Sequence, residues 1–292
     1  MASVVNTAVD ERFALFSSAV VTASDREAIS MVDMHLGNPV VKSTIHSTDT
    51  HGTSEVVFGI MYLLDIYFAP RIKDIASLQL FGFINKQEYV DLDYELLPDK
   101  SINTSLIQEY WDEILRVIVS LKLGKTSAAQ ILKRLNSYAH QNPLHKALKE
   151  FGKVTRTAFI LKYYDDVELR QSVEKLLSHI EMMNRFAKAV FFGNNQEFQI
   201  ATKEEQEKIV LCRLILQNSI VLWNYLYLSD LIIKVESPEE LEDIVSSIRN
   251  GTAVAWEHIN MLGEYDFSKL LNNKTLRFDM QKLMAMKYPK TA

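Results

Sequence analysis

The spacing of apolar residues divides the chain into an N-terminal part of alternating strands and helices and a longer helical part. Apolar runs predict strands over residues 13–21 and 77–83, and a short β-branched strand within Ser43 to Gly52. Helical spacing predicts helices over residues 26–36 and 54–68 between these strands. The resulting β-α-β-α-β order favours a mixed or parallel sheet.

From Ser101 onward the helical periodicity is nearly continuous. Ser105 with Gln108, and Thr202 with Glu205, have the spacing of capping boxes, which mark helix starts. Gly124 and Gly251 stand where glycines commonly end helices. The predicted helices cover residues 105–123, 127–138, 143–151, 153–163, 166–192, 202–235 and 238–250.

Composition places the chain among packed globular proteins, because 48% of its 292 residues are apolar. The longest apolar stretch, Ile209 to Val235, is interrupted by charged and amide side chains, so the pattern predicts no membrane span. Residues Met1 to Val9 lack the features of a signal peptide. A single cysteine, Cys212, excludes a disulfide framework and favours a reducing cytoplasm.

The formal net charge of -5 hides a basic block between Lys122 and Tyr164. This block has nine Lys or Arg residues and one acid, Glu150. Its charge is typical of a surface that contacts nucleic-acid phosphates, and simple solvation of a helix face is the alternative. The basic residues are Lys122, Lys125, Lys133, Arg134, Lys146, Lys149, Lys153, Arg156 and Lys162.

Asp49 is the first candidate for chemistry, because it follows a short strand and precedes a glycine and a helix. Side chains at the carboxyl ends of strands often bind ligands in α/β folds. Asp49 and Thr50 are also typical of a turn or a helix cap. A third interpretation joins His46, Asp49 and His51 as zinc ligands.

Glu181 is the second candidate, on the polar face of the predicted helix 166–192. Asn184, Arg185 and Lys188 recur on that face at helical spacing. The face is either a solvated surface with an ion pair between Glu181 and Arg185, or a metal ligand beside phosphate-binding cations. Spacing alone does not pair Glu181 with Asp49.

Four groups of residues resemble one known family. They are Ser47–Gly52 with Phe58-Gly59 and Phe68–Ile72; Tyr110–Arg116 with Leu121–Gly124; Glu181 and Asn184 with Ala187–Phe192; and Trp256–Asn260. In this order they resemble the C-terminal catalytic part of the Tn3-type (Class II replicative) bacterial transposases, enzymes with an Asp-Asp-Glu active site.

The resemblance implies a fold class of α/β plus mainly α. An incomplete RNase H-like core, residues 1–84, would carry Asp49. A helical insertion, residues 85–165, would carry the basic block, and residues 166–292 would hold the helix of Glu181 and the C-terminal helices. Asp49 and Glu181 would be catalytic and would bind magnesium or manganese for two-metal phosphoryl transfer.

The same resemblance implies DNA as the partner, both transposon ends and target, in the bacterial cytoplasm. The expected DNA-binding residues are Lys122, Lys125, Lys133, Arg134, Arg185 and Lys188. The family's first catalytic Asp has no match at Asp10, Asp25 or Asp33, so we expect a truncated chain that is inactive alone. The expected protein partner is a second copy in a homodimer or a complementary transposase fragment. The alternatives are a non-enzymatic DNA- or protein-binding module and an unrelated zinc hydrolase.

Overall fold

The computed structural model describes residues 3–10, 13–22, 27–38, 45–48, 54–74, 78–137, 142–191, 200, 202–260 and 263–264. The chain forms two compact units. The first contains residues 1–11 and 16–182, and the second contains residues 12–15 and 183–292. Small sheets among long helices confirm the expected α/β plus mainly α class.

The strands of the described residues form three separate pairs. β1 (Ser3–Val9) pairs with β2 (Leu15–Thr22). β3 (Ile45–His46) runs parallel to β4 (Tyr67–Phe68), and β5 (Phe81–Gly82) runs parallel to β6 (Lys100–Ser101). Parallel pairing was expected. The strands at positions 3–9 and 100–101 were not predicted, and the described residues show no single larger sheet.

The helix after β3 is shorter than its apolar pattern predicts. α1 (Glu27–Leu36) precedes β3, and α2 (Glu55–Leu63) follows it, capped by the Ser54 hydroxyl. The predicted extension of α2 to Phe68 is wrong. Asp65 adopts a left-handed backbone, φ 65°, and the Ile66 N–H donates to the Met61 carbonyl. This turn ends the helix and frees Tyr67 and Phe68 to pair with β3.

The remaining helices account for most of the chain. They are α3 (Lys86–Asp91), α4 (Thr104–Glu109), α5 (Trp111–Lys122), α6 (Ala128–Ser137), α7 (Pro143–Asp165), α8 (Val167–Val190), α9 (Lys203–Lys234) and α10 (Pro238–Asn250). Asp166 and Ser237 cap α8 and α10, close to the predicted starts of these helices. Gly124, φ 62°, follows α5 in the left-handed region that glycine favours.

Helix starts and breaks differ from the sequence pattern at three places. Asn103, not Ser105, caps α4, and a break at Tyr110 separates α4 from α5. The Thr202 hydroxyl donates to the Glu205 carboxylate instead of accepting from the backbone. The two helices predicted around Gly152 are one continuous α7. Competing local hydrogen bonds explain the first two differences, and packing explains the third.

Gly152 lets α7 cross α2 at very close range. A Cβ at Gly152 would lie 1.7 Å from the Glu55 carbonyl oxygen, a distance that no side chain can tolerate. Arg156, one turn further along α7, binds the Glu55 carboxylate at 3.1 Å. Around this crossing, α2, α5, α6 and α7 bury the core of the first unit. The fully enclosed side chains there include Ile60, Met61, Ile114, Leu132, Leu148 and Ile160.

The second unit is built on α9, the C-terminal part of α8 and the segment after α10. Trp256 stacks on Phe186, with ring centroids 4.8 Å apart. The buried Asn224 amide donates to the Ala255 carbonyl at 2.8 Å. By length and composition α9 is one helix of the described chain that could cross a membrane, a test that core helices also pass. Its buried Asn224 and Gln217 are hydrogen-bonded inside the unit.

Candidate active site

Backbone pairing beside β3 continues up to the residue before Asp49. The Ala69 N–H donates to the His46 carbonyl at 2.8 Å, and the Arg71 N–H donates to the Thr48 carbonyl at 2.9 Å. The Ser47 hydroxyl adds a bond to the Ala69 carbonyl. Asp49, Thr50 and His51 lie outside the described residues. The chain that leads to Asp49 is therefore fixed through Thr48.

The side chains of Thr48 and His46, at the end of β3, have largely apolar surroundings. The Thr48 side chain is 3% exposed, and its hydroxyl has no hydrogen-bond partner among the described residues. The partly buried His46 ring stacks on Phe68, and Nε2 lies 3.3 Å from the Met31 sulfur. Burial, and then the charge of His35, lower the pKa of His46 to about 4. His46 is therefore neutral near pH 7.

The zinc interpretation receives no support from the part of the chain that the structure describes. His46 belongs to no group of three or more His, Cys, Asp or Glu residues within the described ranges. The other proposed ligands, Asp49 and His51, fall outside those ranges.

Arg71 connects the end of β4 to α8. Its Nη1 atom lies 3.5 Å from Oε2 of Glu174. At the other end of β4, burial raises the pKa of the Tyr67 phenol, and the charge of Asp166, the α8 cap, raises it further. Arg71 therefore contacts α8 through Glu174, and the charge of the α8 cap, Asp166, acts on Tyr67.

Glu181 lies two helical turns beyond Glu174 on the same face of α8. Seven residues correspond to about 10.5 Å along a helix axis. Glu181 is exposed and forms no ion pair with another described residue. The exposed polar face is therefore confirmed, whereas the alternative of an ion pair with Arg185 is wrong.

Helical spacing also predicted the exposure of the other polar residues on this face of α8. Asn184, Arg185 and Lys188 are exposed. On the other side of the helix, Met183, Phe186 and Val190 are buried. Two cations of α8 are thus available to an anionic ligand in solution.

The cations of the basic block do not form one continuous exposed surface. Lys153 binds Glu150 and lies over the Phe81 ring, Arg156 binds Glu55, and Lys162 lies 4.9 Å from the centre of the Tyr67 ring. These three cations serve the packing of the first unit. The expected DNA-binding residues of the block are all exposed: Lys122, Lys125, Lys133 and Arg134.

Sequence reasoning missed two acids with structural roles. One is Glu174, the partner of Arg71, and the other is Asp33. The Asp33 carboxylate on α1 accepts from the Ala128 and Ala129 N–H groups, at 2.5 and 2.9 Å, and so caps α6. This bond joins positions about a hundred residues apart, so no local pattern signals it. Asp33 is a structural cap, in agreement with its lack of match to the family's first acid.

Comparison with known proteins identifies the family. The model of the Tn3 transposase DDE domain matches residues 2–265. The transposase for transposon Tn1546 from Enterococcus faecium is 34% identical over 271 residues, which are 91% of this chain and 27% of that protein. The transposase for transposon Tn2501 from Escherichia coli is 37% identical over 224 residues, 76% of this chain and 22% of that protein.

A further relative matches over a similar length of this chain. The transposase for transposon Tn3926 from Escherichia coli is 35% identical over 272 residues, 89% of this chain and 26% of that protein. The chain spans about a quarter of the length of the curated relatives it matches. The resemblance in the sequence motifs is confirmed, and the chain belongs to the Tn3 transposase DDE domain family.

Proposed function

We propose that this chain carries two of the three carboxylates of a DDE active site, Asp49 and Glu181, for DNA cleavage and strand transfer in replicative transposition. One observation carries this proposal: the Arg71–Glu174 ion pair joins α8 to the strand pair that ends one residue before Asp49. Glu181 is on the same face of α8 as Glu174. The proposal replaces the interpretation of His46, Asp49 and His51 as the zinc site of an unrelated hydrolase.

The path of α8 makes a meeting of the two acids feasible. Glu174 of α8 contacts Arg71, whose backbone N–H donates to the Thr48 carbonyl. Asp49 follows Thr48 directly in the sequence, and Glu181 lies two helical turns beyond Glu174. We infer that the two carboxylates approach closely enough to share a bound cation.

The donor chemistry fits a hard divalent cation. Asp49 and Glu181 would hold magnesium or manganese through carboxylate oxygens, the ligands that these ions prefer. When bound, the metal supplies Lewis acidity at the reacting phosphate. Glu181 is suited to this role because it is exposed and makes no ion pair among the described residues that would compete for its oxygens. The neutral His46 adds no positive charge at the strand end.

The exposed cations would hold the DNA, both transposon ends and target. Lys122, Lys125, Lys133 and Arg134 would contact phosphates from the helical insertion. Arg185 and Lys188 follow Glu181 by one and two turns of α8, so they would hold a strand beside the proposed metal site.

A third carboxylate has to complete the site. Asp33 is committed to capping α6, and no described group of acids supplies a replacement. We therefore expect the isolated chain to be inactive, because two carboxylates alone do not hold both ions in register. A complementary transposase fragment in the bacterial cytoplasm would supply the missing ligand. The division into a partial RNase H-like core, 1–84, an insertion, 85–165, and a C-terminal region, 166–292, belongs to this proposal.

DNA nicking and DNA binding test the two parts of the proposal separately. We expect duplex DNA with family transposon ends to bind, and a magnesium-dependent nick to appear only when a transposase fragment that supplies the third carboxylate is added. Asp49→Ala with Glu181→Ala should abolish the nick and leave binding intact. Robust nicking by the chain alone would contradict the inactivity. A biological effect that survives the double substitution would favour the non-enzymatic module.

A further inference from the structure

The segment from Phe83 to Leu96 exposes an unusual amount of apolar surface. Five large side chains in it are between 46% and 62% exposed. They are Phe83, Val90, Leu92, Tyr94 and Leu96. Single exposed apolar residues need no explanation, but five within fourteen residues indicate a contact surface.

The same segment is acidic. Glu88, Asp91, Asp93 and Glu95 are exposed and form no salt bridge with another described residue. Lys86 is the one basic residue within residues 83–96. We call the segment from Phe83 to Leu96 the acidic apolar segment. A partner for it must be basic and must offer apolar side chains of its own.

Internal contacts give the acidic apolar segment a defined shape. The Tyr89 hydroxyl accepts from the Phe83 N–H at 3.1 Å, and the Tyr89 ring meets Tyr94 edge-on at 5.4 Å. Asn85 caps α3 through the Glu88 N–H. A Cβ at Gly82 would lie 2.6 Å from the Tyr89 ring, so Tyr89 is packed directly against β5. A surface that is already ordered loses little entropy when it binds.

The outer stripe of α5 matches both requirements. Leu115, Val119 and Leu123 follow one another at i, i+4 and i+8 and are 37% to 64% exposed. They lie opposite the core face of the helix, which buries Ile114, Ile118 and Leu121. Arg116, Lys122 and Lys125 flank this stripe, are exposed and form no salt bridge with another described residue. We call these six residues the basic apolar stripe.

We propose that the acidic apolar segment of one copy docks on the basic apolar stripe of a second copy of this chain. Charge complementarity selects this occupant, because each surface offers apolar side chains together with charges of opposite sign. If each copy uses both surfaces on the same partner, the two contacts close a two-fold dimer. If each copy uses its two surfaces on different partners, the contact repeats along a row of copies. Since DNA phosphates and these carboxylates would compete for Lys122 and Lys125, one copy uses these lysines for one partner at a time.

A charge-swap experiment on the full chain tests the dimer. Variant A carries Asp91→Lys, Asp93→Lys and Glu95→Lys, and variant B carries Arg116→Glu, Lys122→Glu and Lys125→Glu. Sedimentation equilibrium should show wild-type mass rising with concentration, and a dissociation constant weaker by about tenfold or more in either variant alone. An equimolar mixture of A and B should restore association, because each reversed surface then faces an opposite charge.

A matched control separates this effect from net charge. Glu236→Lys, Glu242→Lys and Asp243→Lys reverse three exposed acids of the second unit and should leave the association unchanged. Far-ultraviolet circular dichroism checks that every variant is folded. A wild-type monomer at all concentrations, association that persists in A and B, or a mixture of A and B that stays monomeric would each overturn the proposal.

Discussion

The guanidinium of Arg71 and the carboxylate of Glu174 meet at 3.5 Å, and this ion pair joins the end of β4 to α8. Arg71 also bonds the Thr48 carbonyl through its backbone, one residue before Asp49. The same residue thus contacts both the end of the strand pair and the helix that carries Glu181.

Glu174→Gln should weaken manganese binding at the proposed site. The Glu174 side chain is 55% exposed, so the pair is worth about 0.5–1 kcal/mol, and we expect a loss of affinity of about threefold. Isothermal titration with manganese chloride measures it. Glu168→Gln, an exposed acid in the first turn of the same helix, is the matched control. Equal effects of both substitutions would show that only total charge matters.

Gly152→Ala should destabilise the first unit strongly. The added methyl group would overlap the Glu55 carbonyl, so α2 and α7 would have to separate, at a cost of about 3 kcal/mol or more in the free energy of unfolding. Urea denaturation followed by circular dichroism measures the cost. Gly124→Ala is the control: its Cβ meets nothing within 4 Å, and its left-handed backbone costs about 1 kcal/mol. A smaller loss at Gly152 than at Gly124 would contradict the close crossing.

Acid should destabilise the chain through His46. Its pKa falls from 6.5 when unfolded to about 4 when folded, so between these values the unfolded chain binds more protons. Stability is therefore present above pH 6.5 and is lost as the pH falls toward 4, by on the order of 2–3 kcal/mol from this residue. Urea midpoints at pH 7 and pH 5 should differ less in His46→Gln than in the wild type. An unchanged difference would show that His46 is not shielded from water.

Lys122→Ala with Lys125→Ala should reduce the salt dependence of DNA binding. Each lost phosphate contact lowers the slope of log affinity against log salt by about 0.9, so the pair should lower it by about 2. Fluorescence anisotropy of a labelled duplex at several salt concentrations measures the slope. Lys203→Ala with Lys208→Ala is the control, because Glu207 and Glu204 already neutralise these lysines. A lower slope in the control alone would place the DNA elsewhere.

Local signals predicted the helical part of the chain well. Asp166 and Ser237 start helices where the sequence indicates, and Gly124 follows α5 as a left-handed residue. These features depend on neighbours within a few residues, so the sequence contains them directly. The exposed face of Glu181 was predictable for the same reason, because helical periodicity separates buried from exposed positions.

Features that depend on distant partners were not predictable. The sequence pattern assigns Tyr67 and Phe68 to a helix, because their pairing with β3 leaves no local signal. The pattern predicts a helix break at Gly152, whereas the glycine serves the close packing of α7 on α2. Asp33 reads as a surface acid until the start of α6 lies beside it. Charge counts also failed to separate Lys153 and Arg156, which have acid partners, from the exposed cations. In each case the competing principle is tertiary packing.

Manganese binding to single and double variants of Asp49 and Glu181 tests the central claim most directly. Electron paramagnetic resonance counts free and bound manganese for the wild type, Asp49→Asn, Glu181→Gln and the double variant. If the two acids share one cation, each single substitution should weaken binding by about tenfold or more, and the double variant should lose little beyond either single one. Binding that is unchanged in one single variant, or losses that add in full, would contradict a shared site.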